Sequence, residues 1–308
     1  MKATVYKSTG SWYQVKDELG KPFNARMLGK FKIEGLTSTN PIAVGDHVNI
    51  EMENELEGGV TITAIDDRKN YITRTSPANK HQHHIIASNL DQSLLLATLK
   101  DPKTSTGFID RFLVTSEAYH IPSIIVFNKS DLYKAKEVER FAAVKGMYSL
   151  IGYKVISMSL ETGEGVEELR HLLNDKVTLL SGHSGVGKST FINILFPGMN
   201  LKTQGVSDWS GKGLHTTTFA EMFDLSFGGK IIDTPGIREL GLVDIPKTEL
   251  SHYFPEMRAL INLCQFNNCV HINEPGCAVK AAVEKGSIHI DRYISYLNIL
   301  DSIVEKNY

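Results

Sequence analysis

Cysteine is scarce in this sequence, and long apolar runs are absent. Of the 308 residues only three are cysteines, and all three lie between positions 264 and 277. An odd and local set of this kind is not typical of a secreted protein held by disulfides. The longest apolar runs, such as LLLATL and SIIVF, are too short to cross a bilayer, and the opening MKATVYKSTG lacks the apolar core of a signal peptide. We therefore expect a cytoplasmic protein without a membrane partner.

An excess of charge of either sign is missing as well. The formal net charge is −2, and the first 80 residues contain eleven Lys or Arg against ten Asp or Glu. The chain as a whole therefore gives no indication of a nucleic-acid partner, although a local basic patch remains possible. Apolar residues make up 42% of the chain and charged residues 22%, which is typical of a globular protein.

Residues 1–72 are predicted to form a small β-barrel. Five short runs rich in β-forming residues are separated by Gly, Asn, Pro and Asp, and no helical periodicity interrupts them. The runs are ATVYKS, WYQVKD, FNARML, HVNIEM and GGVTITAI.

Residues 73–243 are predicted to form an α/β domain, and residues 244–308 a helical domain. From residue 86 onwards, apolar strand-like runs alternate with segments of helical spacing, which favours a mainly parallel sheet covered by helices. The stretch 200–215 is rich in Gly and Ser and has no periodicity, so we interpret it as a mobile loop. One face of the last helix is expected to pack against the core; it comprises Tyr293, Tyr296, Leu297, Leu300 and Val304.

The segment GHSGVGKS matches the phosphate-binding pattern G-x-x-x-x-G-K-[ST]. It follows a predicted strand and precedes a predicted helix, as the motif requires. Its glycines let backbone N–H groups surround phosphate oxygens at a helix N-terminus. Lys188 is expected to reach the β- and γ-phosphates, and the Ser189 hydroxyl to ligate Mg²⁺. In DTPG, Asp233 is expected to hold Mg²⁺ through water, and Gly236 to donate its N–H to the γ-phosphate.

The segment FNKSD supplies a candidate base-recognition loop. Guanine presents its N1–H and N2 amino group as donors, and the Asp131 carboxylate can accept both. Asn128 is expected to tie this loop to the phosphate loop, and the Lys129 stem to lie along the purine face. After the next predicted strand, Ser159 and Leu160 are placed so that a backbone N–H can meet guanine O6. The candidate nucleotide-binding residues are Asn128, Lys129, Asp131, Ser159, Leu160, Gly182, His183, Ser184, Gly185, Val186, Gly187, Lys188, Ser189, Thr190, Asp233 and Gly236.

The order of these motifs is unusual, because the base loop precedes the phosphate loop. An ordinary GTPase chain has them in the opposite order, so the parts here are cyclically rotated. Chain termini commonly lie close together, and a rotation of this kind therefore preserves the packing. In the rotated chain the phosphate-sensing segments lie directly before the C-terminal domain, so nucleotide state can be transmitted to it.

Together with ASNLDQSLLLATL, SLETGEG, GLHTTT and DTPGIREL, these motifs resemble the circularly permuted GTPases of the RsgA or YjeQ type over nearly the whole chain. The resemblance implies an OB-fold barrel, a permuted P-loop GTPase domain and a zinc-binding C-terminal domain. It also implies that the protein binds GTP and GDP, associates with the small (30S) ribosomal subunit and its rRNA late in maturation, and hydrolyses GTP faster when the subunit is present.

The cysteines and one histidine form a second candidate site. The spacing is Cys264-x4-Cys269-x-His271-x5-Cys277, and three thiolates with one imidazole make a closed tetrahedral donor set suited to one structural Zn²⁺ per chain. The resemblance implies the same four ligands. The alternative, three buried thiols beside a surface histidine, is less favoured because every cysteine of the chain lies in this window. HQHH at 81–84 lacks a carboxylate partner, and we interpret it as an RNA-facing or solvated loop rather than a metal site.

The motifs do not identify the group that activates water for hydrolysis. Many small GTPases place a glutamine after the glycine of D-x-x-G, but Ile237 stands there in this sequence and cannot orient water. His215 is the internal candidate, and a group from the ribosome is the alternative. One of Thr216, Thr217 and Thr218 is expected to ligate Mg²⁺. The candidate catalytic residues are His215, Lys188 and Thr217.

Three functions fit parts of this pattern. The first is a GTP-hydrolysing assembly factor for the small ribosomal subunit, acting as a monomer. The second is an RNA-binding adaptor in which GTP binding alone matters and turnover is incidental. The third, a metabolic P-loop kinase, is disfavoured by NKSD, because a guanine-reading loop serves no phosphate acceptor.

Overall fold

The structure, a computed structural model, describes residues 1–10, 12–27, 41–52, 59–75, 83–196, 220–234 and 245–303 of the chain. Several predictions fall outside these residues. They concern the loop 200–215, His215, Thr216, Thr217, Thr218, Gly236, Ile237, Val304 and the first half of HQHH.

The first five strands close into a barrel, as predicted. They neighbour one another in the order β1-β2-β3-β5-β4, and β1 also pairs with β4. All pairs are antiparallel except β3 with β5. Alternate side chains such as Val5, Val15 and Ile62 point inward and are fully buried. The strands are β1 (Lys2–Ser8), β2 (Tyr13–Asp17), β3 (Pro22–Met27), β4 (His47–Met52) and β5 (Gly59–Ile65).

A separate hairpin follows the barrel. Its strands, β6 (Tyr71–Thr75) and β7 (His83–Ser88), pair with each other and form a two-stranded sheet of their own. The predicted limit of the first domain at residue 72 lies inside β6, and the three domain limits stay predictions.

The middle of the chain forms a six-stranded sheet with helices on both faces. Its strands are β8 (Gln92–Ala97), β9 (Ser123–Phe127), β10 (Lys154–Ser157), β11 (Val177–Ser181), β12 (Glu221–Asp224) and β13 (Lys230–Asp233). Its helices are α1 (Thr106–Ala118), α2 (Ala135–Ile151), α3 (Val166–Leu173) and α4 (Lys188–Leu195). The sheet order is β10-β9-β8-β11-β13-β12, and every pair is parallel except β12 with β13.

This sheet order explains how the rotated chain builds one site. The base loop follows β9 and the phosphate loop follows β11, and only β8 separates these two parallel strands. Because the carboxyl ends of parallel strands meet at one edge of a sheet, both loops lie at the same edge. Phe191 and Ile192 of α4 are fully buried against the sheet, and each contributes about 1.5–3 kcal/mol through apolar burial.

The barrel is joined to the sheet at its edge strand. Lys7 of β1 lies opposite Glu221 of β12, and their side chains form an ion pair of 2.8 Å. Beside it, the Asp224 carboxylate accepts hydrogen bonds from the Tyr6 hydroxyl at 2.5 Å and the Lys16 ammonium at 2.5 Å. Lys230 donates to the same carboxylate at 2.6 Å. This group of charges, which we call the Asp224 cluster, fixes the barrel against β12 and β13.

The C-terminal part is helical, as predicted. It contains α5 (Pro255–Arg258), α6 (Ala278–Glu284) and α7 (Ile290–Ser302), with single 3-10 segments at Lys247–Tyr253 and Ile261–Leu263. On the predicted face of α7, Tyr296 and Leu300 are buried, and Tyr293 and Leu297 pack against the same core. Within the described part of the chain, no helix has both the length and the apolar character needed to cross a membrane.

A buried ion network connects α7 to the GTPase domain. The guanidinium of Arg292 is fully buried and lies 2.6 Å from Asp110 on α1 and 2.6 Å from Glu256 on α5. The Tyr148 hydroxyl of α2 donates to Asp110 at 2.7 Å. Burial raises the pKa of Asp110, and the Arg292 charge opposes that rise. Four helices therefore converge on one buried cation.

Candidate nucleotide site and candidate metal centre

The phosphate loop runs from the end of β11 to the first residue of α4. At two of its positions only glycine fits, because the backbone has a positive φ and a neighbouring group lies where a Cβ would be. At Gly182, with φ of +150°, a Cβ would lie 2.3 Å from the Leu96 carbonyl oxygen. At Gly187, with φ of +104°, a Cβ would lie 2.5 Å from the Asn128 amide nitrogen. Any side chain at either position would therefore push the loop away from its neighbours.

Lys188 and Asp233 lie at the centre of this site. The Lys188 ammonium donates to the carbonyl oxygens of Gly182 at 2.5 Å and His183 at 2.8 Å. Burial lowers the pKa of Lys188, and the nearby Asp233 carboxylate opposes that effect. Burial likewise raises the pKa of Asp233, and one of its oxygens is buried without a hydrogen-bond partner among the described residues. A buried carboxylate oxygen in need of a partner fits the coordination shell of Mg²⁺.

The other positions of the loop differ in exposure. Ser189 is half-buried at the start of α4, whereas Ser184, Gly185 and Thr190 are exposed. The His183 ring stacks on Phe108 of α1, with centroids 3.6 Å apart. Burial lowers the pKa of His183, and the Lys188 charge lowers it further, which disfavours the charged imidazolium. Sequence reasoning missed Phe108, because nothing local marks a helix residue as part of a phosphate loop.

The Asn128 side chain connects the predicted base loop to the predicted phosphate loop. Its amide nitrogen donates to the Val186 carbonyl at 2.8 Å, and its amide oxygen accepts from the Leu160 N–H at 3.3 Å. The residue is buried, so these bonds are shielded from water. One side chain thus connects three loops. Since the Leu160 N–H already makes this long bond, its expected role towards guanine O6 stays a prediction.

Asp131 stands exposed at the end of the base loop. The Ser159 hydroxyl donates to its carboxylate at 2.6 Å and accepts from the Thr162 N–H at 3.1 Å. A second carboxylate that sequence reasoning missed, Glu164, accepts from the Ser130 hydroxyl at 2.9 Å. These contacts hold the two base loops together and leave the remaining lone pairs of Asp131 open to solvent.

Lys129 adopts a left-handed backbone with φ of +66° and donates from its ammonium to the Asp101 carbonyl. The connection between β8 and α1, which contains Asp101, also touches the phosphate loop: a Cβ on Gly185 would lie 3.4 Å from Pro102. This connection was not singled out in the sequence. It contacts both the base loop and the phosphate loop, and its contribution could be found only in three dimensions.

The four candidate metal ligands come together. The ligand atoms of Cys264, Cys269, His271 and Cys277 all lie within 4.8 Å of one another. His271 Nδ1 is 3.7, 3.3 and 3.4 Å from the three sulfurs in sequence order. A tetrahedral ion with Zn–S of about 2.3 Å and Zn–N of about 2.0–2.1 Å separates sulfur from nitrogen by about 3.6 Å. The donor set therefore fits a tetrahedral metal ion, with Nδ1 as the histidine ligand.

Neighbouring groups hold the metal loop in shape. The Glu274 carboxylate accepts from the N–H groups of Val270, Ile272 and Asn273 at 2.9, 2.8 and 3.1 Å. From α7, the Tyr296 hydroxyl donates to the Val270 carbonyl at 2.7 Å, and the Tyr293 hydroxyl donates to the His271 carbonyl at 2.6 Å. Two tyrosines thus connect the loop to α7, which also carries the buried Arg292.

Comparison with known proteins identifies the family. The model of the RsgA GTPase family matches residues 65–243, and the model of the RsgA N-terminal domain matches residues 2–60. The chain belongs to the RsgA GTPase family. This confirms the resemblance to the RsgA type that the motifs indicated, and the prediction that the chain is a GTPase.

Proteins named RsgA match nearly the whole chain. The chain is 54% identical over 302 residues to the small ribosomal subunit biogenesis GTPase RsgA of Flavobacterium psychrophilum, covering 98% of this chain and 93% of that protein. It is 53% identical over 300 residues to the RsgA of Cytophaga hutchinsonii, covering 97% and 98%.

Two solved structures of RsgA-type proteins resemble this fold. YjeQ from Thermotoga maritima superposes with a TM-score of 0.79 at 33% identity, over 99% of both chains. YloQ, described as a circularly permuted GTPase, gives a TM-score of 0.76 at 30% identity, over 100% of this chain and 96% of that one. The predicted architecture of barrel, permuted GTPase domain and C-terminal cysteine-histidine domain is confirmed.

Proposed function

We propose that this RsgA-family chain is a GTP-hydrolysing assembly factor of the small ribosomal subunit. It acts late in maturation of the subunit, in contact with its rRNA, and the subunit stimulates its turnover. The observation that carries this proposal is identity above 50% over 97% or more of the chain to two relatives named small ribosomal subunit biogenesis GTPase RsgA.

The nucleotide site supports this role residue by residue. Asp131 accepts from guanine N1–H and the N2 amino group, and the Lys129 stem lies along the purine. When GTP binds, the Lys188 ammonium exchanges its hydrogen bonds to the Gly182 and His183 carbonyls for bonds to the β- and γ-phosphates. Ser189 and, through water, Asp233 would hold Mg²⁺; the supporting observation is the buried Asp233 oxygen that has no hydrogen-bond partner among the described residues. When bound, Mg²⁺ would neutralise phosphate charge.

The metal centre has a structural role in this proposal. Three cysteines and one histidine would fill all four positions of a tetrahedral zinc site, so no position would remain for a substrate. The residues that would hold Zn²⁺ are Cys264, Cys269, His271 and Cys277. Their separations, and the hydrogen bonds from α7 to the same loop, support an ion that stabilises the C-terminal domain.

The water-orienting group is His215 in this proposal, with Thr217 on Mg²⁺. Both residues lie outside the described part of the chain, and the support is sequence: Ile237 replaces the usual glutamine, and the segment GLHTTT precedes β12. His215→Ala should leave GTP affinity nearly intact and lower subunit-stimulated turnover by at least about tenfold, or about 1.4 kcal/mol. Equal stimulated rates would assign the catalytic group to the ribosome.

The test of the whole proposal is single-turnover GTP hydrolysis with and without purified small subunits. A rise in rate on adding subunits supports an assembly GTPase. An unchanged rate, together with GTP-dependent capture of subunits, would favour the alternative of an adaptor in which binding alone matters. A pull-down that compares a GTP analogue with GDP supplies the second measurement, and ATP in place of GTP is the control nucleotide.

A further inference from the structure

A stacked pair of rings joins the phosphate loop to α1. The centres of the His183 imidazole and the Phe108 phenyl ring are 3.6 Å apart, and the two planes are inclined by 31°. His183 is the second residue of the loop, and Phe108 is the third residue of α1. At this separation the ring faces are in van der Waals contact, so the position of one ring restrains the other.

Phe108 is the fixed member of this pair. The Ser105 hydroxyl caps α1 by accepting from the Phe108 N–H at 3.2 Å, which holds the backbone at that position. The Phe108 ring is partly buried and packs against the hydrophobic core. Two residues further along α1, the Asp110 carboxylate lies 2.6 Å from the buried Arg292 guanidinium. Phe108 therefore presents a rigid surface to the phosphate loop.

The phosphate loop needs such a surface because its own backbone has much freedom to lose. Gly182, Gly185 and Gly187 have φ values of +150°, +83° and +104°. Glycine loses more conformational entropy on ordering than any other residue. The second half of the loop is held by Asn128, whose amide donates to the Val186 carbonyl at 2.8 Å. The stack on α1 acts on the first half.

The first half of the loop is also held by Lys188, but that contact competes with phosphate. The Lys188 ammonium donates to the His183 carbonyl at 2.8 Å, and the lysine of a phosphate loop turns to the phosphates when they bind. The stack uses the His183 ring instead of the carbonyl, so it does not compete with phosphate for the ammonium. It can therefore hold residue 183 whether or not Lys188 is engaged by a nucleotide.

The surroundings of the His183 ring favour stacking over other contacts. Neither ring nitrogen has a hydrogen-bond partner in the part of the chain that the structure describes. Burial and the Lys188 charge both lower the pKa of His183, which favours the uncharged ring. An uncharged imidazole packs on a phenyl face as one aromatic ring on another. The contact with Phe108 is therefore what sets the direction of this side chain.

We infer that Phe108 is a positioning residue for nucleotide binding. Through its stack on His183 it holds the first half of the phosphate loop in the shape that receives the phosphates. Because the loop is ordered before the nucleotide arrives, less of the binding free energy is lost to ordering it. The inference rests on the binding of guanine nucleotides at this loop, which is part of the proposed function, and not on any contact with the ribosome.

Phe108→Leu tests this role, because it removes the ring and keeps an apolar side chain against the core. It should raise the dissociation constant of N-methylanthraniloyl GDP about fivefold and KM for GTP by a similar factor, while kcat changes less than about twofold. Phe108→Tyr keeps the ring and should bind within about twofold of the parent. Phe227→Leu is the matched control, since Phe227 is also partly buried but lies between β12 and β13, at the opposite edge of the sheet.

A double-mutant cycle shows whether Phe108 acts through His183. If it does, adding Phe108→Leu to His183→Ala should weaken nucleotide binding no further. In the nucleotide-free parent the phenyl ring current should move the His183 Cε1–H NMR signal upfield, and Phe108→Leu should remove that shift. Additive losses in the cycle, or parent-like affinity in Phe108→Leu, would overturn this inference alone. A parent protein that binds no guanine nucleotide would overturn the proposed function as well.

Discussion

At the scale of single residues, we expect nucleotide choice to depend on Asp131. The residue is exposed, and the Ser159 hydroxyl donates to its carboxylate at 2.6 Å and so orients it. Because Ser159 donates to only one of its oxygens, lone pairs remain on both oxygens for the two donors of guanine. The Thr162 N–H in turn fixes the Ser159 hydroxyl. The Asp131 side chain is therefore already oriented before guanine binds.

Asp131→Asn should exchange guanine for xanthine. An amide keeps one acceptor for N1–H but presents a donor to the second position, where xanthine carries an oxygen. GTP affinity should fall by about 10–100-fold, which corresponds to the loss of a charge-assisted hydrogen bond, and xanthosine triphosphate should bind better. The measurement is the dissociation constant of each nucleotide, with Glu161→Gln as the control for removing a nearby exposed charge. Equal affinity of the parent protein for GTP and ATP would contradict this assignment.

At the scale of structural elements, the metal loop, residues 264–277, leaves its apolar side chains Phe266 and Ile272 exposed. It is held by four ligands, by the Glu274 carboxylate, and by two tyrosine hydroxyls of α7. Since the carboxylate and the tyrosines fix only backbone groups, the side-chain ligands need the ion to be held together. The loop should therefore lose its structure when the metal is lost, while α4 and the phosphate loop should not.

Cys269→Ser provides the test of that dependence. Purified parent protein should contain about one zinc per chain, and the variant much less. The variant should show local loss of structure near residues 261–277 by hydrogen exchange, yet bind GTP with unchanged affinity. A parent protein free of zinc whose C-terminal domain is nevertheless protected from exchange would show that the four residues are not a metal site.

The Asp224 cluster makes a second element-scale prediction, on pH. Burial acts to raise the pKa of Asp224, but hydrogen bonds from Lys16, Lys230 and Tyr6 outweigh it and lower the pKa to about 2. A carboxyl group with a lowered pKa stabilises the fold above its unfolded pKa of about 3.9, and that contribution is lost as the pH falls towards 2. Asp224→Asn should therefore lower the urea midpoint at pH 7, and the difference from the parent should shrink between pH 5 and 3. Asp301→Asn, at an exposed site, is the control; a difference independent of pH would refute the assignment.

Elements and motifs differed in how far the sequence could predict them. The five barrel strands and the phosphate loop were predictable because alternation, turn residues and the G-x-x-x-x-G-K-S spacing are local signals. The approach of Phe108 to His183, and the pairing of β1 with β12, were not, since each depends on segments far apart in the chain. Arg292 is the clearest case: an arginine in a helix is normally solvent-exposed, and only the packing of four helices buries it.

At the scale of the whole molecule, Arg292 joins the C-terminal domain to the GTPase domain. Arg292→Met would leave Asp110 buried without its cation, and should destabilise the protein by about 3–5 kcal/mol. Adding Asp110→Asn should recover part of the loss, because the uncompensated charge is removed. The measurement is urea unfolding of the full chain. Arg258→Met is the control, since its ion pair with Glu117 is exposed and should be worth less than about 1 kcal/mol.

The two strands of the junction between β1 and β12 are synthesised at different times. Lys7 and Glu221 are separated by 214 positions, so one half of the junction is synthesised long before the other. At about 5–20 residues per second, the delay is roughly 10–40 s. Through that interval β12 does not yet exist, so the barrel has no sheet edge to dock on. Until Glu221 and Asp224 are made, Lys7 and Lys16 lack the carboxylate partners that they have in the finished protein.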